Sequence, residues 1–314
     1  MAPAATIVFI LNHRAGTGRA GELQATIEKL AREAGVAVQI LVAKEGADLP
    51  AMAREAVKGG ARAVIAGGGD GTVNAIAGAL AGSDVALGVL PLGTLNHFAK
   101  DLGLPLGEED AVRAALSGQA VRVDVGEVNG RVFLNNSSIG LYPRIVRFRE
   151  AERCKGHNKW LAFLRATFAT LRRHALFHVE LQIDEGKFLS RRTAFVFLGN
   201  NEYETAGLNI GARRRLDGGA LWLCLPRRGG RIDLLRLALM TLLGRLREGE
   251  LEFRSAAAVE IRTRRRQLSV ALDGEVVRMP APLAYRIRRH ALQVIAPDNG
   301  DLTRAQAGTP RSRF

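Results

Sequence analysis

Short apolar runs alternate with amphipathic stretches along the first part of the chain. Residues 6–11 (Thr-Ile-Val-Phe-Ile-Leu), 36–42, 61–66 and 85–90 read as strands, the first apolar on both faces as a buried parallel strand is. Between them, 22–34 places Leu23, Ile27 and Leu30 on one helical face, and 47–58 follows as a second helix. Val73, Ile76, Ala77 and Leu80 have the spacing of a third. This βαβα order predicts an α/β domain with a doubly wound parallel sheet covered by helices on both faces.

Beyond Gly126 the rhythm changes. Alternating segments at 132–135, 179–183, 194–198, 220–225, 258–261 and 268–271 predict antiparallel strands in a second, β-rich, sandwich-like domain. Two stretches interrupt them and predict helices. One is 158–173, with Trp160, Leu161, Leu164, Phe168 and Leu171 near one face; the other is the Leu-rich 232–247, carrying Arg236, Arg245 and Arg247. Either they pack on the core, or they rest on anionic lipid, with Trp160, Phe163 and Phe168 beside an acyl chain. The expected division is 1–124, 125–297 and a disordered tail at 298–314.

Composition narrows the classes. Among 314 residues, 47% are hydrophobic and 24% charged, as in ordinary globular proteins. The apolar run at the N-terminus lacks a basic flank and is cut short by Asn12, His13 and Arg14, so no export signal is expected. Two cysteines, Cys154 and Cys224, build neither a disulfide framework nor a metal cluster and fit a reducing cytoplasm. Charge is uneven. Residues 1–124 hold 11 Lys/Arg against 13 Asp/Glu, and residues 125–314 hold 34 against 18. An anionic partner is therefore expected at the second half: a membrane surface, a phosphorylated substrate or nucleic acid.

Three polar or glycine-rich loops follow predicted strands. They are Asn12-His13-Arg14-Ala15-Gly16-Thr17-Gly18, Gly67-Gly68-Gly69-Asp70-Gly71-Thr72, and Pro91-Leu92-Gly93-Thr94-Leu95-Asn96. In a parallel sheet all three lie at the carboxyl ends, where ligands bind. Glycines permit a sharp turn and close approach, and the N–H groups opening the next helix favour phosphate. Asp70 repels phosphate unless a cation intervenes, which suggests a nucleotide handled as its magnesium complex; an ordinary αβ turn with a solvated Asp is the alternative. Thr72 is placed to donate a hydrogen bond or to cap the helix. Thr94 and Asn96 are candidate donors to phosphate or base. Asp273-Gly274-Glu275 is either a hairpin tip or a turn presenting two carboxylates, one within reach of a hydroxyl as general base.

Taken in order, Asn12…Gly16, Gly68-Gly69-Asp70-Gly71-Thr72, Pro91-Leu92-Gly93-Thr94-x-Asn96-x-Phe98-Ala99, Val123-Asp124-Val125-Gly126, Phe133-Leu134-Asn135, Gly199-Asn200-Asn201 and Leu272-Asp273-Gly274-Glu275 resemble the bacterial lipid kinases built on a diacylglycerol-kinase-type catalytic domain. That family is related to sphingosine kinases and, more distantly, to NAD kinases. The resemblance runs to about Pro297. It implies an ATP- and magnesium-dependent kinase acting on a lipid hydroxyl in the cleft between domains. Asn12, Gly67, Gly68, Gly69, Asp70, Gly71, Thr72, Thr94 and Asn96 would hold ATP, and Asp70 and Asp124 the magnesium. Glu275 would be the proton acceptor, with Asp273 its neighbour. Three departures stand out. His97 replaces an Asp, and Lys44 stands where many relatives have a Thr. The Asp-Asp-Gly-x-Leu of a structural metal site appears as Asp217-Gly218-Gly219-Ala220-Leu221, leaving Asp217 as the candidate ligand.

The expected setting is cytoplasmic and peripheral at an anionic inner membrane surface. Nucleic-acid binding explains none of the three loops. Two rivals stay open: a lipid- or nucleotide-binding protein without turnover, and a soluble-substrate kinase resembling NAD kinase. Neither the lipid's identity nor the oligomeric state is legible.

Overall fold

The computed structural model describes residues 6–12, 20–44, 47–140, 176–204, 213, 215–227 and 250–297. The expected helices at 158–173 and 232–247, the rest of the loop after Asn12, Cys154 and the tail all lie outside them. The chain forms two compact units: residues 1–125, 201–219 and 288–314 in one, 126–200 and 220–287 in the other. The division is thus discontinuous in sequence, where a single boundary near 124 was expected.

The first unit contains the parallel sheet. Strands β1 (Ile7–Asn12), β2 (Val38–Ala43), β3 (Ala63–Gly68) and β4 (Ala86–Pro91) run in the order β2-β1-β3-β4, with Val294 of the last strand beside Leu87. Strands β3 and β4 are buried throughout, so apolar residues face both sides; β2 is half exposed. Helices α1 (Ala20–Glu33), α2 (Leu49–Lys58) and α3 (Asp70–Leu80) fall where the periodicity predicts. The side chain of Asp48 accepts from the Ala51 N–H at 2.9 Å and caps α2. Two further helices are α4 (His97–Asp101) and α5 (Glu108–Ser117). The sequence reading passes over α5, although Glu108, Glu109 and Asp110 in its first turn suit the positive end of a helix dipole. Ile27 and Leu30 of α1 pack with Phe9, Ile65, Leu90 and Val112 in one core.

The second unit is antiparallel. Strands β6 (Arg131–Phe133), β7 (Asn136–Gly140), β8 (Phe177–Ile183), β9 (Leu189–Thr193), β10 (Phe195–Asn200), β11 (Leu221–Pro226), β12 (Leu251–Ala256), β13 (Ala258–Arg262), β14 (Gln267–Leu272) and β15 (Glu275–Pro280) form it. They are joined by parts of β5 (Gln119–Val128) and β16 (Leu283–Ala296). One sheet runs β12-β11-β10-β7-β14-β15; the other pairs β16, β13, β8 and β9, with β6 on β5. Val196, Leu223 and Val270 of the first share one core with Val179, Ile261 and Tyr285 of the second, so the unit is a β-sandwich. Burial pushes the Tyr285 hydroxyl above its usual range, and a 3.0 Å hydrogen bond pairs it with Ser137 Oγ.

Cys224 of β11 is buried, and desolvation pushes its thiol up to about 12. The thiolate is therefore scarce at neutral pH. In a Cys154→Ser protein, an aromatic disulfide reagent is expected to leave Cys224 unmodified at pH 8 until denaturant is added. Release of thionitrobenzoate from the native protein within minutes would contradict this. Because the folded thiol keeps its proton beyond the unfolded value of about 8.5, its contribution to stability is full below that pH. It falls as pH rises toward 12.

Candidate functional site

Strand register gathers the loops of the first unit. Leu11 pairs with Gly67, Gly67 with Leu90, and Gly68 with Pro91, so the carboxyl ends of β1, β3 and β4 lie level. A Cβ at Gly67 would fall 2.4 Å from Leu11 Cδ2, one at Gly68 2.5 Å from Thr72 Oγ1, and one at Gly93 2.6 Å from Gly69 Cα. Close approach thus demands glycine at 68 and 93, whereas at 67 a Cβ would meet only the far end of the Leu11 side chain. No left-handed turn is involved: Gly69 is extended (φ −86°, ψ −178°), and Gly67, Gly68 and Gly71 lack positive φ.

Gly69 precedes α3, and no side chain caps that helix. Thr72 does not take the capping role open to it. Its buried hydroxyl lies back over Gly68 and accepts from Asn12 Nδ2 at 3.1 Å, joining the end of β1 to the start of α3. Asp70 is the first residue of α3, half-buried, with Oδ1 accepting the His97 N–H at 2.9 Å. This contact uses the backbone of residue 97, so having His there leaves it intact; the imidazole is exposed.

Asn96 is not the free donor expected from the sequence. It sits at φ 50°, accepts from the Gly93 N–H at 3.0 Å, and donates to the carbonyls of Pro91 at 3.0 Å and Gly93 at 2.9 Å. Both amide hydrogens are engaged in shaping the loop. Thr94, in the same loop, is exposed.

Asp124 is only 1% exposed. Its Oδ2 accepts from Gly219 N–H at 2.7 Å and its Oδ1 from His290 N–H at 2.8 Å, while its own N–H donates to Leu216. The carboxylate thus holds two other backbone segments. Asp217 faces Arg215, Nε to Oδ1 at 3.0 Å and Nη2 to Oδ2 at 3.2 Å, and this pairing holds its carboxyl below the usual range. Among the described residues no three of His, Cys, Asp and Glu gather as a metal cluster.

In the second unit, Asp273 (φ 46°) and Gly274 (φ 91°) form the two-residue turn between β14 and β15, closed by the Leu272–Glu275 pair. Successive positive φ values explain the Asp-Gly dipeptide. Asp273 accepts three N–H groups, from Leu134 at 2.7 Å, Asn135 at 2.8 Å and Asn136 at 2.9 Å. Buried Asn200 donates to the Leu134 carbonyl at 2.8 Å and steadies the same segment. Asp273 is fixed by the chain, and Glu275, at the start of β15, is exposed.

Sequence reasoning misses Arg213 and Asp101. Arg213 Nε and Nη2 donate to Asp101 Oδ2 at 2.9 and 2.6 Å, with exposures of 0% and 14%, and the guanidinium lies 5.9 Å from the Tyr203 ring centroid. The pair anchors the end of α4, the helix that follows Asn96. Within the run Arg213-Arg214-Arg215 nothing in the sequence distinguishes buried Arg213 from exposed Arg215.

Two family models match consecutive parts of the chain: a diacylglycerol kinase catalytic domain over residues 6–128, and a YegS C-terminal NAD kinase beta sandwich-like domain over 143–296. The lipid kinase YegS of Escherichia coli K12 is 41% identical over 122 residues, which are 37% of this chain and 41% of that protein. A Chromohalobacter salexigens protein named "Probable lipid kinase YegS-like" is 46% identical over 119 residues, 37% of this chain and 38% of its own. This chain thus spans less than half the length of these curated relatives. A crystal structure of a diacylglycerol kinase from Bacillus anthracis shares the fold at TM-score 0.68, with 21% identity over 94% of this chain and 98% of that one.

Proposed function

We propose that the chain is a lipid kinase, since a diacylglycerol kinase catalytic domain and a YegS-type sandwich domain match consecutive parts of it. In this reading it moves the γ-phosphoryl group of ATP to a hydroxyl of a diacylglycerol-like lipid. The observation that carries it is the clustering, at one end of the parallel sheet, of the 67–72 loop, the uncapped start of α3 and the Asp70 carboxylate. Phosphoryl transfer depends mainly on positioning and charge neutralisation, which such an assembly supplies.

The residues fit a magnesium ion unequally. Magnesium in kinase sites keeps waters and takes one or two protein carboxylates together with phosphate oxygens. Asp70, half-buried beside the phosphate-favouring helix start, fits that role. Asp124 fits it less well, since both its oxygens already accept backbone N–H groups. When bound, the ion would neutralise charge on the phosphates. The N–H groups opening α3 would orient them, with Asn12 holding Thr72 and Asn96 holding its loop around that start. Exposed Glu275 would accept the proton of the lipid hydroxyl as its oxygen bonds the γ-phosphorus and the bond to ADP breaks. Asp273, bound by three N–H groups, keeps the Glu275 turn in place.

The basic second half suits peripheral binding at an anionic inner leaflet, where each nearby Arg contributes about 1 kcal/mol. Among the described residues no helix is long and apolar enough to cross a membrane. With labelled ATP, magnesium and bacterial lipid extract in mixed micelles, the protein is expected to give one labelled lipid. Glu275→Gln should lower its formation by about 10²-fold or more at unchanged ATP affinity. Labelling of NAD in place of any lipid would favour a soluble-substrate kinase. Wild-type turnover by Glu275→Gln would remove the assigned base.

A further inference from the structure

The resemblance seen in the sequence implies a structural divalent cation at an Asp-Asp-Gly-x-Leu turn, which this chain writes Asp217-Gly218-Gly219-Ala220-Leu221. The donor set on that turn does not fit one. Both Asp217 oxygens accept from Arg215, at 3.0 and 3.2 Å. The Gly219 carbonyl, which could otherwise ligate a cation, accepts from Arg289 Nε at 3.0 Å. Asp124 of β5, whose carboxylate reaches the turn, accepts from the N–H groups of Gly219 and His290. Gly218 stands where the second Asp would be, and a Cβ there would fall 2.9 Å from Asn201 Oδ1. Magnesium or calcium takes six or more oxygens, waters included, and a structural site draws several of them from the protein. The Asp217 and Asp124 carboxylate oxygens and the Gly219 carbonyl face N–H groups, and buried Asn201 Oδ1 adds a single neutral oxygen beyond them.

We infer that the guanidinium groups of Arg215 and Arg289 take the place of a structural divalent cation at the 217–219 turn. Arg215 pairs with the Asp217 carboxylate, and Arg289 holds the Gly219 carbonyl of the turn whose N–H binds Asp124. Arg215 is bidentate, which fixes direction as well as charge. Arg289 also fits a backbone that only a glycine adopts readily: Gly219 has φ +73°, and a Cβ there would fall 2.9 Å from Arg289 Nε. The knot joins segments distant in sequence. Asp124, Gly219 and His290 lie beside three of the points where the chain passes from one compact unit to the other, all on the first unit's side. Linking such segments is the ordinary task of a structural metal, and here side chains perform it. The inference concerns stability, so it stands or falls independently of the kinase reading.

The test uses the full chain without nucleotide. Thermal unfolding is followed in excess EDTA and in millimolar Mg2+, Ca2+ or Mn2+, and Mn2+ binding is titrated by electron paramagnetic resonance. The wild-type midpoint is expected to agree within about 1 °C across these conditions, with no Mn2+ site that Asp217→Asn abolishes. Arg215→Ala should lower the midpoint by roughly 2–4 °C, the shift of a modest stability loss in a chain of this size. Because it leaves the Asp217 carboxylate without its guanidinium, it should also acquire an upward response to divalent cations that the wild type lacks. Arg215→Lys, which keeps the charge without the fork, should fall between. A wild-type midpoint that drops in EDTA, a Mn2+ site lost in Asp217→Asn, or an Arg215→Ala protein that melts like wild type would each overturn the inference. The wild-type arms decide it even if a variant fails to fold.

Discussion

Asp70→Ala is expected to lower phosphoryl transfer by about 10²–10³-fold, the range seen when one preorganised electrostatic contact to a transition state is removed. The carboxylate has two tasks in the proposed mechanism: it would carry magnesium beside the phosphates, and its Oδ1 holds the His97 N–H at 2.9 Å. Asp70→Asn separates them, because an amide oxygen can still accept from His97 but brings no charge. Both variants should lose transfer, while only Asp70→Ala should loosen the loop leading into α4. Initial rates with saturating ATP and lipid, compared with melting curves, distinguish the two effects. Near-normal transfer by Asp70→Asn would eliminate the metal-carrying role.

The second large effect is on stability. Arg213→Ala should cost roughly 3 kcal/mol or more, because it leaves the Asp101 carboxylate, 14% exposed, without the guanidinium that holds it. Removing one partner of a buried pair is costlier than removing both. Asp101→Ala combined with Arg213→Ala should therefore recover part of the loss, and the difference is the coupling between them. Urea unfolding of the four proteins in the cycle measures it. If Arg213→Ala unfolds at the wild-type urea concentration, the pair is no anchor for α4. Activity should fall alongside stability if α4 keeps the 91–96 loop in its left-handed turn at Asn96.

Much of the architecture is written locally. Strands β1, β3 and β4 are fully or almost fully buried, so continuous apolar runs betray them; α1 and α2 show their faces by period. The second unit is less legible. Strand β9 reads Leu-Ser-Arg-Arg-Thr and lies at a sheet edge with three exposed residues, so no alternation marks it. Strand β7 carries Asn136, Ser137 and Ser138 into a central position, where Ser137 is matched by the Tyr285 hydroxyl. A polar residue satisfied across the fold, as Ser137 is, cannot be told from a loop residue in one dimension.

The candidate site divides in the same way. The sequence by itself determined the βα order, the three loops at strand ends, the Asp-Gly turn before Glu275 and the excess of positive charge after residue 124. These depend on near neighbours, through apolar period, glycine sterics and turn geometry. Only the tertiary structure decided which polar groups remain available for chemistry. It engages both Asn96 amide hydrogens in its own loop, binds Asp124 to Gly219 and His290, and sets Arg215 against Asp217. A hydrogen bond or ion pair is settled by distances of about 3 Å between atoms such as those of Asp124 and His290, 166 residues apart in the chain, and no local pattern encodes that separation.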